Sequence, residues 1–157
     1  MVRAVPAAIV FAFALSALVL YAPTSAADPP VVCIDPGHGG SDPGAVNGSL
    51  HEADINLDVS FALAARLALD GVDSTLTRTD DSTLSSRDRY TYCNNALADL
   101  YVGVHTNSVA DPTIDGTLTI YFHNDDRVLA NALQESMLAR LAPPSPDSDS
   151  FIDFGLK

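Results

Sequence analysis

Two histidines and one glutamate carry the chemistry this sequence offers. His38 stands in VVCIDPGHGG, Val31 to Gly40, where an apolar, strand-favouring run meets Asp35-Pro36-Gly37. Proline ends ladder donation there and glycine permits a tight turn, so the imidazole is expected on a loop at the C-terminal end of a strand. His105 repeats the arrangement: Leu100 to Val104 is a short apolar run, and the histidine follows as the run stops. Glu52 comes just before the best helical pattern in the chain. If both strand ends open on one sheet edge and Glu52 reaches it, two imidazoles and a carboxylate converge. That is the three-ligand pattern of a catalytic zinc with an open fourth position, suited to hydrolysing an amide or ester. Each residue also has a plainer reading. His38 belongs to a Gly-rich turn, Glu52 complements the positive end of a helix dipole, and the three residues never meet.

Positioning falls to the segments between them. Ile55, Val59, Ala62, Leu63 and Leu67 recur at helical spacing over Ala53 to Leu69, and Gly71 stands where a helix C-terminus favours a left-handed residue. Val72 to Arg78 alternates as a strand. After the Asp80-Asp81 turn, Ser82 or Thr83 is placed to cap a helix that carries Leu84, Arg87, Tyr90 and Cys93 and ends near Asn94-Asn95. Strand, helix, strand, helix, strand implies an α/β fold with a largely parallel sheet, which brings His38 and His105 to the same edge. Further on, Leu129, Leu133, Met137 and Leu141 mark an amphipathic helix over Val128 to Leu141, with Glu135 on its solvated face. Pro143 to Asp149 reads as a loop. His51 and His123 read as surface residues or as residues standing behind the site.

The first residues carry a different signal. Arg3 precedes an apolar run from Ala4 to Leu20, and the small residues from Ala22 to Ala27 follow. This is the pattern of a secretory signal peptide, cleaved after Ala26 or Ala27, with no stable membrane insertion afterwards; the rival reading is an uncleaved membrane anchor, for which the run is near the lower limit of length. The rest, 28 to 157, suffices for one modest domain. It carries seven basic residues against twenty acidic ones. Such a balance excludes nucleic acid as a partner and leaves anionic membranes unattractive, while a wall-associated sugar or peptide remains open. Cys33 and Cys93 are the only cysteines. In an exported chain they are expected to bridge, tying the first strand to a later helix; the other reading is two separate buried thiols.

In combination, several motifs resemble one family. DPGHGG (Asp35 to Gly40), Glu52 with its helix, LTR (Leu76 to Arg78), Arg87 with Asn94 and Asp99, and VGVHTN (Val102 to Asn107) look like the zinc-dependent N-acetylmuramoyl-L-alanine amidases. The motifs keep the family's order over Val31 to Phe122. The resemblance implies a three-layer α/β sandwich, zinc held by His38, Glu52 and His105, and peptidoglycan as substrate. The bond cut would join the lactyl group of N-acetylmuramic acid to L-alanine. With the leader removed, a monomer is expected that is secreted, periplasmic or cell-wall associated. One departure stands out. The family places a general-base glutamate on a late strand, whereas this chain has only Glu52 and Glu135. The expectation is therefore a catalytic domain over 28–157 lacking its C-terminal strand and helix, with Asp35 the first candidate for a replacement base. The rival is a non-catalytic zinc- or wall-binding module that keeps the cleft.

Overall fold

The computed structural model describes residues 28–108, 111, 114–141 and 151–157. The expected signal peptide and the Pro143 to Asp149 loop lie outside the described residues. Along the chain run β1 (Val31–Pro36), β2 (Val46–Asn47), β3 (Leu50–His51), α1 (Glu52–Leu69), β4 (Asp73–Leu76), α2 (Ser86–Asn95) and β5 (Leu100–Val104). Then come β6 (Asp115–Thr119), a 3-10 turn (Asn124–Asp126), α3 (Arg127–Leu141) and β7 (Phe151–Leu156). None of these helices is long and apolar enough to cross a membrane.

β1 is the central strand of a parallel sheet ordered β4-β1-β5. Its apolar run is continuous because both faces are covered, the usual situation of a parallel strand. Alternation assigns the faces. Cys33 and Asp35 point toward α2, to which they are joined by a disulfide with Cys93 and an ion pair with Arg89. Val32 and Ile34 point the other way, are buried, and lie under α1. Helices on both faces give the expected layered α/β arrangement. The Cys33–Cys93 bridge closes a span of 60 residues, which in the chain-entropy account stabilises by about 4 kcal/mol.

Three local expectations are corrected. In α1 the buried stripe is Ala53, Asn56 and Ser60, one residue round from the apolar stripe, and Val59 is 46% exposed. Small and polar residues allow close approach to β1 because their polar groups are paired. Asn56 Nδ2 donates to Gly37 O at 3.3 Å, and Ser60 Oγ donates to Asn56 O at 2.7 Å. The cap of α2 is Ser85, not Ser82 or Thr83. Ser85 Oγ accepts from Asp88 N–H while the Asp88 carboxylate accepts from Ser85 N–H, a reciprocal capping box. Thr83 instead accepts from Ser41 N–H, tying down the loop after His38. In α3 the buried residues are Ala130 and Gln134, while Leu129 and Leu133 stay about 40% exposed. Gln134 bridges β6 and β7, accepting from Thr119 Oγ1 and donating to Thr117 O and Asp153 Oδ1. β6 and β7 pair parallel as a separate two-stranded sheet.

Candidate metal centre

His38 leaves the end of β1 in a left-handed conformation, φ 63°, which costs a non-glycine residue energy unless its surroundings hold it there. Two arginines hold the turn. Arg78, 4% exposed, donates to the carbonyls of Pro36, Gly37, Ala53 and Asp80 at 2.8–2.9 Å. Arg89 donates to Pro36 O at 2.8 Å and to His38 O at 2.7 Å, while its Nη1 also meets Asp35 Oδ1 at 2.7 Å. The turn's carbonyls, which have no ladder partners, are thereby paired. Two glycines are required for space. A Cβ on Gly37 would stand 2.3 Å from His105 Cε1, and one on Gly44 would stand 2.7 Å from the His38 ring.

His105 follows β5 on the same edge, as the parallel order demands, and its ring meets that of His38 edge-on with centroids 4.9 Å apart. Glu52, the first residue of α1, points between them. His38 Nε2 lies 3.4 Å from Glu52 Oε2, and His105 Nδ1 lies 3.3 Å from Glu52 Oε1. One ligand atom from each of the three residues falls within 4.8 Å of the others, and no other such His, Cys, Asp or Glu group occurs among the described residues. Bonds of zinc length arranged tetrahedrally put neighbouring ligand atoms about 3.3–3.4 Å apart. The two short separations involve different oxygens of Glu52, so the three-atom set, within 4.8 Å, is looser than that ideal, but two imidazoles and an ionised carboxylate around one point are a donor set that fits zinc.

Glu52 is 5% exposed. Burial alone would raise its pKa, but N–H donors from Ala45, Thr106 and Asn107, with the His38 imidazole alongside, outweigh it and bring the value down to about 2. The carboxylate is therefore ready as a ligand without deprotonation. Asp42 accepts from His38 Nδ1 at 2.8 Å, and that hydrogen bond, ahead of a second from Gly44 N–H, holds its carboxyl below the usual range. Two clefts flank the centre. One, of about 270 Å³, is bordered by Val46, Asn47, Leu50, Glu52, Ile55 and Asn107. The other, of about 390 Å³, is bordered by His38, His105, Ser86, Arg89, Tyr90 and Tyr101.

The structure brings together His38, Glu52 and His105, and leaves the other two histidines apart. His51 is half exposed beside Asp54, and His123 is an exposed residue ahead of the 3-10 turn. Glu135 accepts from Asn131 on the open face of α3, in keeping with a solvated helix residue. Asp35 is no free base. It is 2% exposed, its Oδ1 is taken by Thr77 and Arg89, and its Oδ2 by the Tyr101 hydroxyl. Burial and that bond to Asp35 push the Tyr101 phenol upward.

Arg87 is exposed, so the arginine that serves the site is Arg89. A signal for it existed. Cys93 faces β1, and the residue one helical turn earlier shares that face, whereas Arg87 does not.

A family model described as N-acetylmuramoyl-L-alanine amidase matches residues 32–148, most of the described chain. The chain belongs to that family. It is 38% identical over 115 residues to the uncharacterized protein YqiI of Bacillus subtilis, covering 70% of this chain and 55% of that one. It is 43% identical over 79 residues to the sporulation-specific N-acetylmuramoyl-L-alanine amidase of the same organism, covering 49% and 31%. The chain thus spans about half or less of the length of these curated relatives. Among solved structures, the amidase AmiC2 of Nostoc punctiforme superposes with a TM-score of 0.70 at 31% identity, covering 81% of this chain and 67% of that one. An N-acetylmuramoyl-L-alanine amidase from Clostridium difficile 630 gives 0.64 at 30%, covering 71% and 64%.

Proposed function

We propose that this chain binds one zinc ion through His38, Glu52 and His105. With it, the chain hydrolyses the amide between N-acetylmuramic acid and L-alanine in peptidoglycan, after export to the cell wall and removal of the leader. The observation that carries the reading is the spacing of the three ligand atoms, inside the segment that matches the amidase family. Bound there, zinc supplies a Lewis acid that polarises a carbonyl and acidifies water. The protein's own groups do the rest. Arg78 and Arg89 fix the His38 loop, Glu52 stays ionised throughout the working pH range, and the two clefts give an extended substrate room on either side of the scissile bond.

Among the described residues, no free carboxylate stands at this site to take a proton. The carboxylates that border the two clefts are Glu52, Asp42 and Asp35, and each is already engaged. A positioned general base contributes roughly 10² to 10⁴ in rate, so residues 28–157 taken alone are expected to turn over slowly. The test is mass spectrometry of peptides released from purified peptidoglycan, with and without chelator. Slow, chelator-sensitive release of peptides beginning with L-alanine supports the reading. A zinc-loaded protein that binds the wall and releases none would replace it with a non-catalytic binding module.

A further inference from the structure

We infer that Asp42 is a positioning residue for the metal: it selects the tautomer of His38 and so sets the affinity of the centre. The inference rests on the reading of His38 as a ligand. Asp42 Oδ2 lies 2.8 Å from His38 Nδ1. An ionised carboxylate only accepts hydrogen bonds, so Nδ1 must carry the ring proton. In the neutral ring, the form that ligates a metal, the lone pair is then on Nε2, the nitrogen that faces Glu52 Oε2 at 3.4 Å. A ligating histidine of the opposite tautomer would first have to move its proton, and a ring free to turn would lose its aim.

Asp42 is itself held in place. Its Oδ1 accepts from Gly44 N–H at 3.1 Å, its carbonyl accepts from Gly39 N–H at 2.8 Å, and its own N–H donates to Gly39 O at 3.2 Å. The residue therefore forms a short two-ended bridge across the loop that carries the ligand, with one carboxylate oxygen for the backbone and one for the imidazole. Gly44 brings the loop close enough for this, because a side chain there would collide with the His38 ring and with Glu52 Cβ. Among the described residues, the only carboxylate on His105 is that of Glu52, itself one of the three ligand candidates. Its Nδ1 faces Glu52, and among the described residues no hydrogen bond to its Nε2 occurs. Control of the tautomer is thus concentrated at His38. The Asp42 side chain is 63% exposed, so the role predicted for it is in the metal site more than in the core.

Two measurements on the purified chain test this. Long-range proton–nitrogen NMR of the metal-free protein should show His38 protonated at Nδ1; a predominantly Nε2-protonated ring would overturn the inference with no substitution made. Competition with a chromogenic zinc chelator should show Asp42→Asn and Asp42→Ala weakening zinc binding about 10- to 100-fold, the range found when such outer partners are removed. Asp54→Asn, which removes an equal charge beside His51 rather than beside a ligand, should leave affinity within about twofold of the original. Equal losses in the Asp42 and Asp54 variants, or none in either, would refute the role of Asp42. Loss of zinc in His38→Ala alongside unchanged affinity in Asp42→Asn would refute this inference alone, whereas zinc retained in His38→Ala would refute the site itself.

Discussion

Replacing Arg89 with alanine should unfold the chain more readily than almost any other change outside the apolar core. Its guanidinium pairs with Asp35, whose side chain is 3% exposed, and donates to the carbonyls of Pro36 and His38. Arg78 still serves Pro36. The Asp35 carboxylate, however, is left buried with only the hydroxyls of Thr77 and Tyr101, and the His38 carbonyl loses its arginine donor. Removing one partner of a buried ion pair costs about 3–5 kcal/mol, against about 5–15 kcal/mol of total stability for an ordinary domain. Arg87→Ala, two residues away and exposed, should stay within about 0.5 kcal/mol of the original. Urea unfolding of the metal-free protein gives both values, with unchanged slopes confirming that stability and not compactness has moved. The double variant Asp35→Asn, Arg89→Met should recover much of the loss, because no unpaired charge remains. Equal costs for Arg87 and Arg89, or a cost below about 1 kcal/mol for Arg89→Ala, would refute the clamp.

Three further outcomes follow from the same geometry. Because the pKa of Glu52 is depressed from 4.5 to about 2, its contribution, about 3 kcal/mol, is complete above pH 4.5 and is lost as pH falls through 2. The stability gap between the metal-free chain and Glu52→Gln should therefore shrink from pH 6 to pH 3, and a gap that widens would contradict the assignment. Reducing the Cys33–Cys93 bridge should cost about 4 kcal/mol in thermal or urea unfolding, and no change on reduction would show that the bridge contributes nothing. Gly37→Ala should abolish zinc binding while leaving a folded circular dichroism spectrum, since the added methyl occupies the place of the His105 ring; full zinc binding in that variant would mean the ring is placed otherwise.

The convergence of His38, Glu52 and His105 and the sheet were legible in the sequence because both depend on punctuation. An apolar run that stops at Pro-Gly or at a histidine marks a strand end, and a parallel order sends such ends to one edge. What was less legible depended on which side chains find partners. The α1 stripe follows Asn56 and Ser60 because hydrogen bonds make their burial tolerable and their size permits a close helix; hydropathy alone favours Ile55 and Val59. Gln134 in α3 is the same case, a polar residue buried because three partners on β6 and β7 satisfy it. The choice of Arg89 over Arg87 needed the helix face, which the disulfide defines. Asp35 looked available as a base from its place beside the His38 loop, yet at 2% exposure, with three donors packed around its carboxylate, it is shut off from water.

The most direct test of the account is zinc stoichiometry of the purified chain by elemental analysis, for the original and for the His38→Ala, His105→Ala double variant. The geometry predicts one zinc per chain in the original and none in the double variant, whose circular dichroism should remain that of a folded α/β protein. One zinc per chain in both would place the metal elsewhere and contradict the His38, Glu52 and His105 centre.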